Sequence, residues 1–231
     1  MTTMTTSARL QEPAMRTGAT PPLYLSRLLL NPRSRQVQAE LRDPYQMHRT
    51  LCKAFGDGPG ELGASRCLFR VEEGCASVVP VLVQSLALPD WGRLTVSEGY
   101  LGVEAEWKAF APTFVGGQRL RFRLRANPTL RRSEAVAKMG KRIGVYGEGA
   151  QRAWLARKGE AGGFAVVDCR VIDGGHVVCR RGGDGPPQRH LCVTYDGLLE
   201  VTDPDRFLSA LASGIGSAKA FGFGLLSVAR V

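Results

Sequence analysis

Residues 119–125 read RLRFRLR, a strict alternation of arginine with Leu or Phe. Side chains on a strand point alternately to its two faces, so only an extended segment sorts this pattern cleanly. Leu120, Phe122 and Leu124 then enter a core, while Arg119, Arg121, Arg123 and Arg125 share the other face. Like charges in a row repel and disfavour the strand unless something anionic lies against them. That anion is either a bound polyanion or a set of acids on neighbouring strands. Arg131, Arg132, Lys138, Lys141 and Arg142 extend the basic surface beyond it.

The whole chain is biased the same way. It has 31 Lys+Arg against 21 Asp+Glu, a net charge of +10, which favours an anionic partner such as nucleic acid. Lysine is confined to positions 53, 108, 138, 141, 158 and 219, so most of the base is arginine, whose planar fork suits phosphate and guanine edges. High genomic G+C also enriches arginine, but it does not cluster it. No apolar run is long enough for a membrane helix. Residues 1–23 are polar and lack the apolar core of a secretory signal, so they are expected to be a disordered extension. A cytoplasmic, reducing compartment follows, with the six cysteines as small buried hydrophobes. No cysteine sits in C-x-x-C or at zinc-finger spacing from a histidine, so no metal and no cofactor is expected.

The order of elements repeats. Strands over 24–30, 67–71, 78–86 and 101–107 alternate with a helix over 43–55 and a short one near Pro89-Asp90. Strands over 119–125, 164–172, 176–180, 191–201 and 225–231 alternate with helices over 151–158 and 205–213. Residues 131–149 read as a basic loop. Each half is β-α-β-β-α-β, the second with an added hairpin strand. The expected fold is α+β: two tandem ferredoxin-like (βαββαβ) domains, 24–115 and 116–231, divided at Gly116-Gly117.

Asp43-Pro44 opens the first helix as cap and first residue. At about 100° per residue, Met47, Leu51, Ala54 and Phe55 make its core stripe, and Arg49 and Lys53 lie opposite. Tyr45, His48 and Cys52 fall on the border. A histidine beside a phosphate-attracting helix start can take a proton from an RNA 2′-OH. That oxygen then attacks phosphorus, leaving a 2′,3′-cyclic phosphate and a 5′-OH without metal. Spacing alone does not separate this role from a histidine that only hydrogen-bonds locally.

Two further segments suit RNA. The hairpin around Arg180, Arg181 and Arg189 either enters an RNA groove or is a solvent loop. The loop 214–224, GIGSAKAFGFG, matches neither the dinucleotide fingerprint nor a P-loop. Gly214 and Gly216 allow close backbone approach to phosphate, and Lys219 adds charge.

Several segments, in order, resemble one family: YLSRLLLNP (24–32), DPYQMHRTL (43–51), LVQS (82–85), PDW (89–91), RLRFRLRANP (119–128), AWL (153–155), GLLEVTDP (197–204) and GIGSAKAFGFGLLSVA (214–229). The chain is similar to the CRISPR-associated endoribonuclease CasE, the RNA-processing subunit of the type I-E Cascade complex. The resemblance implies tandem ferredoxin-like domains and metal-independent cutting of CRISPR repeat RNA at the base of its stem-loop. It also implies partners: the crRNA product, which stays bound, and other Cascade subunits. The family's catalytic histidine and tyrosine fall on His48 and Tyr45, and its RNA-contacting arginines on 119–125 and 180–189. The alternative is a non-catalytic subunit that only caps the RNA stem-loop.

Overall fold

The computed structural model describes residues 22–56, 66–74, 77–94, 99–131, 142–179 and 187–231. The expected N-terminal extension, the basic residues 132–141 and the hairpin arginines Arg180 and Arg181 therefore lie outside the described residues, apart from Pro22 and Leu23.

The first sheet holds β1 (Leu23–Leu30), β2 (Leu68–Val71), β3 (Val79–Ser85) and β4 (Glu106–Phe110), in the order β2-β3-β1-β4. The second holds β5 (Arg119–Ala126), β8 (Phe164–Cys179), β9 (Gln188–Val201) and β10 (Leu226–Arg230), in the order β10-β5-β9-β8. All neighbours are antiparallel. Numbered within each half, both orders are 4-1-3-2, the ferredoxin-like arrangement used twice. The short strands β6 (Thr129–Arg131) and β7 (Arg142–Gly144) form a separate ribbon.

Among the described residues four α-helices accompany the sheets: α1 (Arg35–Arg42), α2 (Pro44–Cys52), α3 (Glu148–Ala161) and α4 (Pro204–Ser213). The two Asp-Pro starts behave alike. Asp43 Oδ1 accepts the N–H of Tyr45 at 3.2 Å, and Asp203 Oδ1 accepts that of Arg206 at 3.1 Å. Each carboxylate satisfies a backbone donor that has no partner within its helix.

Several expected bounds need correction. Helix α1 was not anticipated, because its inward side combines Val37 with Glu40, an acid that composition assigns to solvent. Glu40 is buried because Tyr100 Oη, Thr50 Oγ1 and Gln36 Nε2 all donate to its carboxylate, at 2.6, 2.6 and 2.8 Å. The two strands expected over 164–180 are one strand. Gly174-Gly175, read as a break, is absorbed as an irregularity opposite Val193 and Leu191, where a Cβ at Gly174 would stand 3.0 Å from Cys192 Sγ. Strand β4 starts later than expected, with only Leu101 bridging Leu30 before it. Helix α3 starts earlier, at Glu148, whose carboxylate favours the positive helix end.

The halves are docked. Arg70, on β2 and 3% exposed, donates to the carbonyls of Arg123 and Leu225 at 3.2 Å and to Ser227 Oγ at 2.9 Å. Gln84 on β3 donates to the Leu211 carbonyl at 2.8 Å. Buried polar groups in an interface of this kind are tolerated because they are paired.

Candidate active site and nucleic-acid interface

Helix α2 presents the faces read from its spacing. Met47 and Leu51 are fully buried, Cys52 nearly so, and Tyr45 and His48 are half-buried. The His48 ring stacks on Phe69 of β2, with centroids 6.1 Å apart and planes 17° apart. Phe69 also lies under the glycine-rich loop: a Cβ at Gly222 would stand 3.3 Å from its ring. Tyr45 packs on Phe221 of that loop at 5.6 Å, and Phe221 on His190 at 4.4 Å. A line of rings thus joins α2 to a loop some 170 residues downstream.

The loop is held by its glycines. Gly214 and Gly216 have φ of 75° and 85°, the left-handed region that side chains disfavour. A Cβ on Gly214 would meet Leu68 at 2.8 Å, and one on Gly216 would meet Trp154 at 3.2 Å. Close packing against protein is thus one reason for these glycines. Lys219 is less free than its sequence suggests: its Nζ donates to the Ser213 carbonyl at 2.6 Å, closing the end of α4. Burial, with Arg66 and Lys158 nearby, pulls its pKa down.

The arginine strand alternates as read, with Leu120, Phe122 and Leu124 buried. Its charges are not equivalent. Arg119 and Arg123 face Glu200 and Asp196 on β9 and pair with them at 3.1 and 2.7 Å; Arg123 also reaches Glu72 at 3.4 Å. Arg121 stands opposite Leu198 and Arg125 opposite Thr194. Arg125 lies 5.2 Å from the Phe223 centroid and donates to Cys192 Sγ. Half of the stripe is therefore balanced by acids on the neighbouring strand, and the alternative of a bound polyanion narrows to Arg121 and Arg125.

Arg189 is exposed at the start of β9 and borders a cleft of about 670 Å³ with Asn127, Thr129, His176, His190 and Ser217. His190 lines this cleft and packs on Phe221. Burial lowers its pKa, Asn127 Nδ2 lies 3.4 Å from its Nδ1, and its buried Nε2 has no hydrogen-bond partner among the described residues. His176 is exposed and meets Tyr146 Oη at 3.2 Å. Phe69, Asn127 and Ser217 escaped the sequence reading, since nothing local marks a Phe as a platform.

The fold also brings together three metal-type donors that no linear motif marks. His48, Cys52 and Cys67 converge, their donor atoms all within 4.8 Å of one another. Linear spacing hid this, because Cys67 is delivered by the entry to β2 rather than by a short motif. The fully buried Cys67 thiol is pushed up beside Cys52, while Cys52 is held down by the hydrogen bond from Cys67 and, further, by His48.

A family model described as CRISPR associated protein matches residues 23–230. The chain belongs to this CRISPR-associated family. It is 42% identical over 218 residues to the CRISPR-associated endoribonuclease Cse3 of Thermus thermophilus, covering 90% of this chain and 100% of that protein. It is 30% identical over 223 residues to the Cascade subunit CasE of Escherichia coli, covering 90% and 99%. A solved structure of Cse3 bound to a 19-nucleotide RNA matches with a TM-score of 0.79 at 41% identity, over 91% of this chain and 100% of that one. In this CRISPR-associated chain the matched span contains every element described above, including α2 and the loop 214–224.

Proposed function

We propose that this chain is an endoribonuclease that binds the CRISPR repeat stem-loop and cuts precursor crRNA without a metal. The observation that carries the reading is the junction of α2 with the glycine-rich loop, where half-exposed His48 stacks on Phe69 and Phe69 packs against Gly222 of the left-handed loop backbone. The relatives support the same activity: one is named an endoribonuclease, and its structure holds RNA.

In this reading His48 takes the proton of the 2′-OH next to the scissile phosphate. The oxygen attacks phosphorus, the 5′-oxygen leaves and takes up a proton, and the products are a 2′,3′-cyclic phosphate and a 5′-OH. Tyr45, one turn away on α2, orients the sugar or phosphate through its hydroxyl. Arg121, Arg125 and Arg189 supply charge for the RNA backbone, with Arg180 and Arg181 as further contacts. The backbone N–H groups of 216–220, in the loop that begins at Gly214 and Gly216, can approach phosphate, with Lys219 adding charge behind them. The E. coli relative is named a Cascade subunit, and we assign this chain the same kind of place, holding its product within a larger assembly.

The test is incubation of the purified chain with its repeat RNA in EDTA, followed by analysis of the ends. Cutting with a cyclic-phosphate end is expected, and His48→Ala should slow it by roughly 10²–10⁴-fold while leaving RNA affinity in place. An uncut repeat bound tightly by the native chain would instead identify a binding subunit.

A further inference from the structure

From the convergence of His48, Cys52 and Cys67 we propose that the chain carries a site for a thiophilic divalent cation, zinc in class, that silences the ribonuclease when filled. The silencing rests on the role proposed for His48; the binding does not.

The geometry fits the ion. Cys52 Sγ lies 3.7 Å from His48 Nε2 and 3.9 Å from Nδ1. Tetrahedral zinc, with bonds of about 2.3 Å to sulfur and about 2.0–2.1 Å to nitrogen, holds a sulfur and a nitrogen roughly 3.6 Å apart and two sulfurs roughly 3.8 Å apart. All three donors lie within 4.8 Å of one another, so small side-chain movements close the set. His48 and Cys52 stand one turn apart on a single helix, and Cys67 is fixed at the mouth of β2. The site is thus largely built before an ion arrives.

The donor set selects the metal. Two sulfurs and an imidazole suit zinc, cobalt or cadmium, and they disfavour magnesium and calcium, which demand oxygen. Both thiols are buried and His48 is half-exposed, so the ion enters past the imidazole. On binding, each thiol releases its proton to water and the imidazole commits a ring-nitrogen lone pair to the metal. A lone pair bound to zinc accepts no proton from a 2′-OH. The fourth coordination position falls to water. The cation here is an inhibitor, and its removal restores cutting.

Cobalt(II) is titrated into the full, reduced, metal-stripped chain while the near-ultraviolet absorbance is followed. A thiolate-to-cobalt band saturating at one equivalent, and erased by zinc, is expected. Losing even an outer-shell partner costs about 10–100-fold in metal affinity, so Cys52→Ser and Cys67→Ser should each weaken binding by at least about that factor. Cleavage of repeat RNA is then compared with stoichiometric zinc and with EDTA. The ratio of the two rates should fall at least about tenfold below unity in the native chain and return toward unity in the serine variants. If Cys67→Ser does not fold, Cys52→Ser and the native titration decide.

Absence of the band in the native chain, an undiminished band in both serine variants, or a two-hydrogen mass loss marking a Cys52–Cys67 disulfide in place of the band overturns the site. A band without any effect of zinc on cutting overturns the silencing. Native cutting by His48→Ala overturns the proposed function instead and leaves the cobalt result standing.

Discussion

Glu40 shows how much a single side chain decides here. It is 3% exposed, and its carboxylate ties α1 to Thr50 of α2 and to Tyr100. Burial and then the neighbouring carboxylate hold the Tyr100 phenol far above its ordinary range, so it donates at every working pH. Tyr100→Phe removes that donor and should cost about 1–3 kcal/mol in a urea titration, with no loss of cleavage once the variant is folded. At this scale the sequence was partly legible. Tyr45 and His48 stood out because Asp43-Pro44 fixes the helix phase, and phase fixes which side chains share a border. Glu40, Phe69 and Cys67 did not, because their roles depend on partners 10 to 150 residues away, which no local pattern encodes.

Among elements, β5 carries the clearest prediction. Arg119 and Arg123 are held by Glu200 and Asp196, whereas Arg121 faces Leu198. A cation already paired neutralises less phosphate charge and so displaces fewer counter-ions from the RNA. Arg121→Ala should therefore flatten the log–log salt dependence of repeat binding by roughly one unit or somewhat less. Arg123→Ala should flatten it less, since Asp196 and Glu72 offset its charge before RNA arrives. Equal changes in the two variants would show that the internal pairs do not count. The alternation of β5 is read directly from RLRFRLR, but the acids on β9 are invisible until the register is known. For the same reason β8 was cut in two at Gly174-Gly175. Glycine marks a turn in isolation, and only the opposed Cys192 shows that it marks a close approach.

The repeated 4-1-3-2 sheet order could be inferred because strand and helix signals recur in one sequence order, and short connections leave few ways to wind them. How the two halves meet could not, since the contacts are made by residues such as Arg70 and Gln84 that look like surface polar groups. Arg70→Leu takes from Glu72 its buried partner and from the carbonyls of Arg123 and Leu225 one donor each. Removing one member of a buried pair costs about 3–5 kcal/mol, against at most about 1 kcal/mol for exposed Arg119→Ala; chemical denaturation of both variants checks the contrast. Phe69 gives the docking a further meaning. One phenyl ring is the floor for His48 and, against Gly222, the wall of the loop, so the proposed site draws on both halves. It behaves as a keystone does in an arch, set only when both sides lean in and dropping out first when either moves.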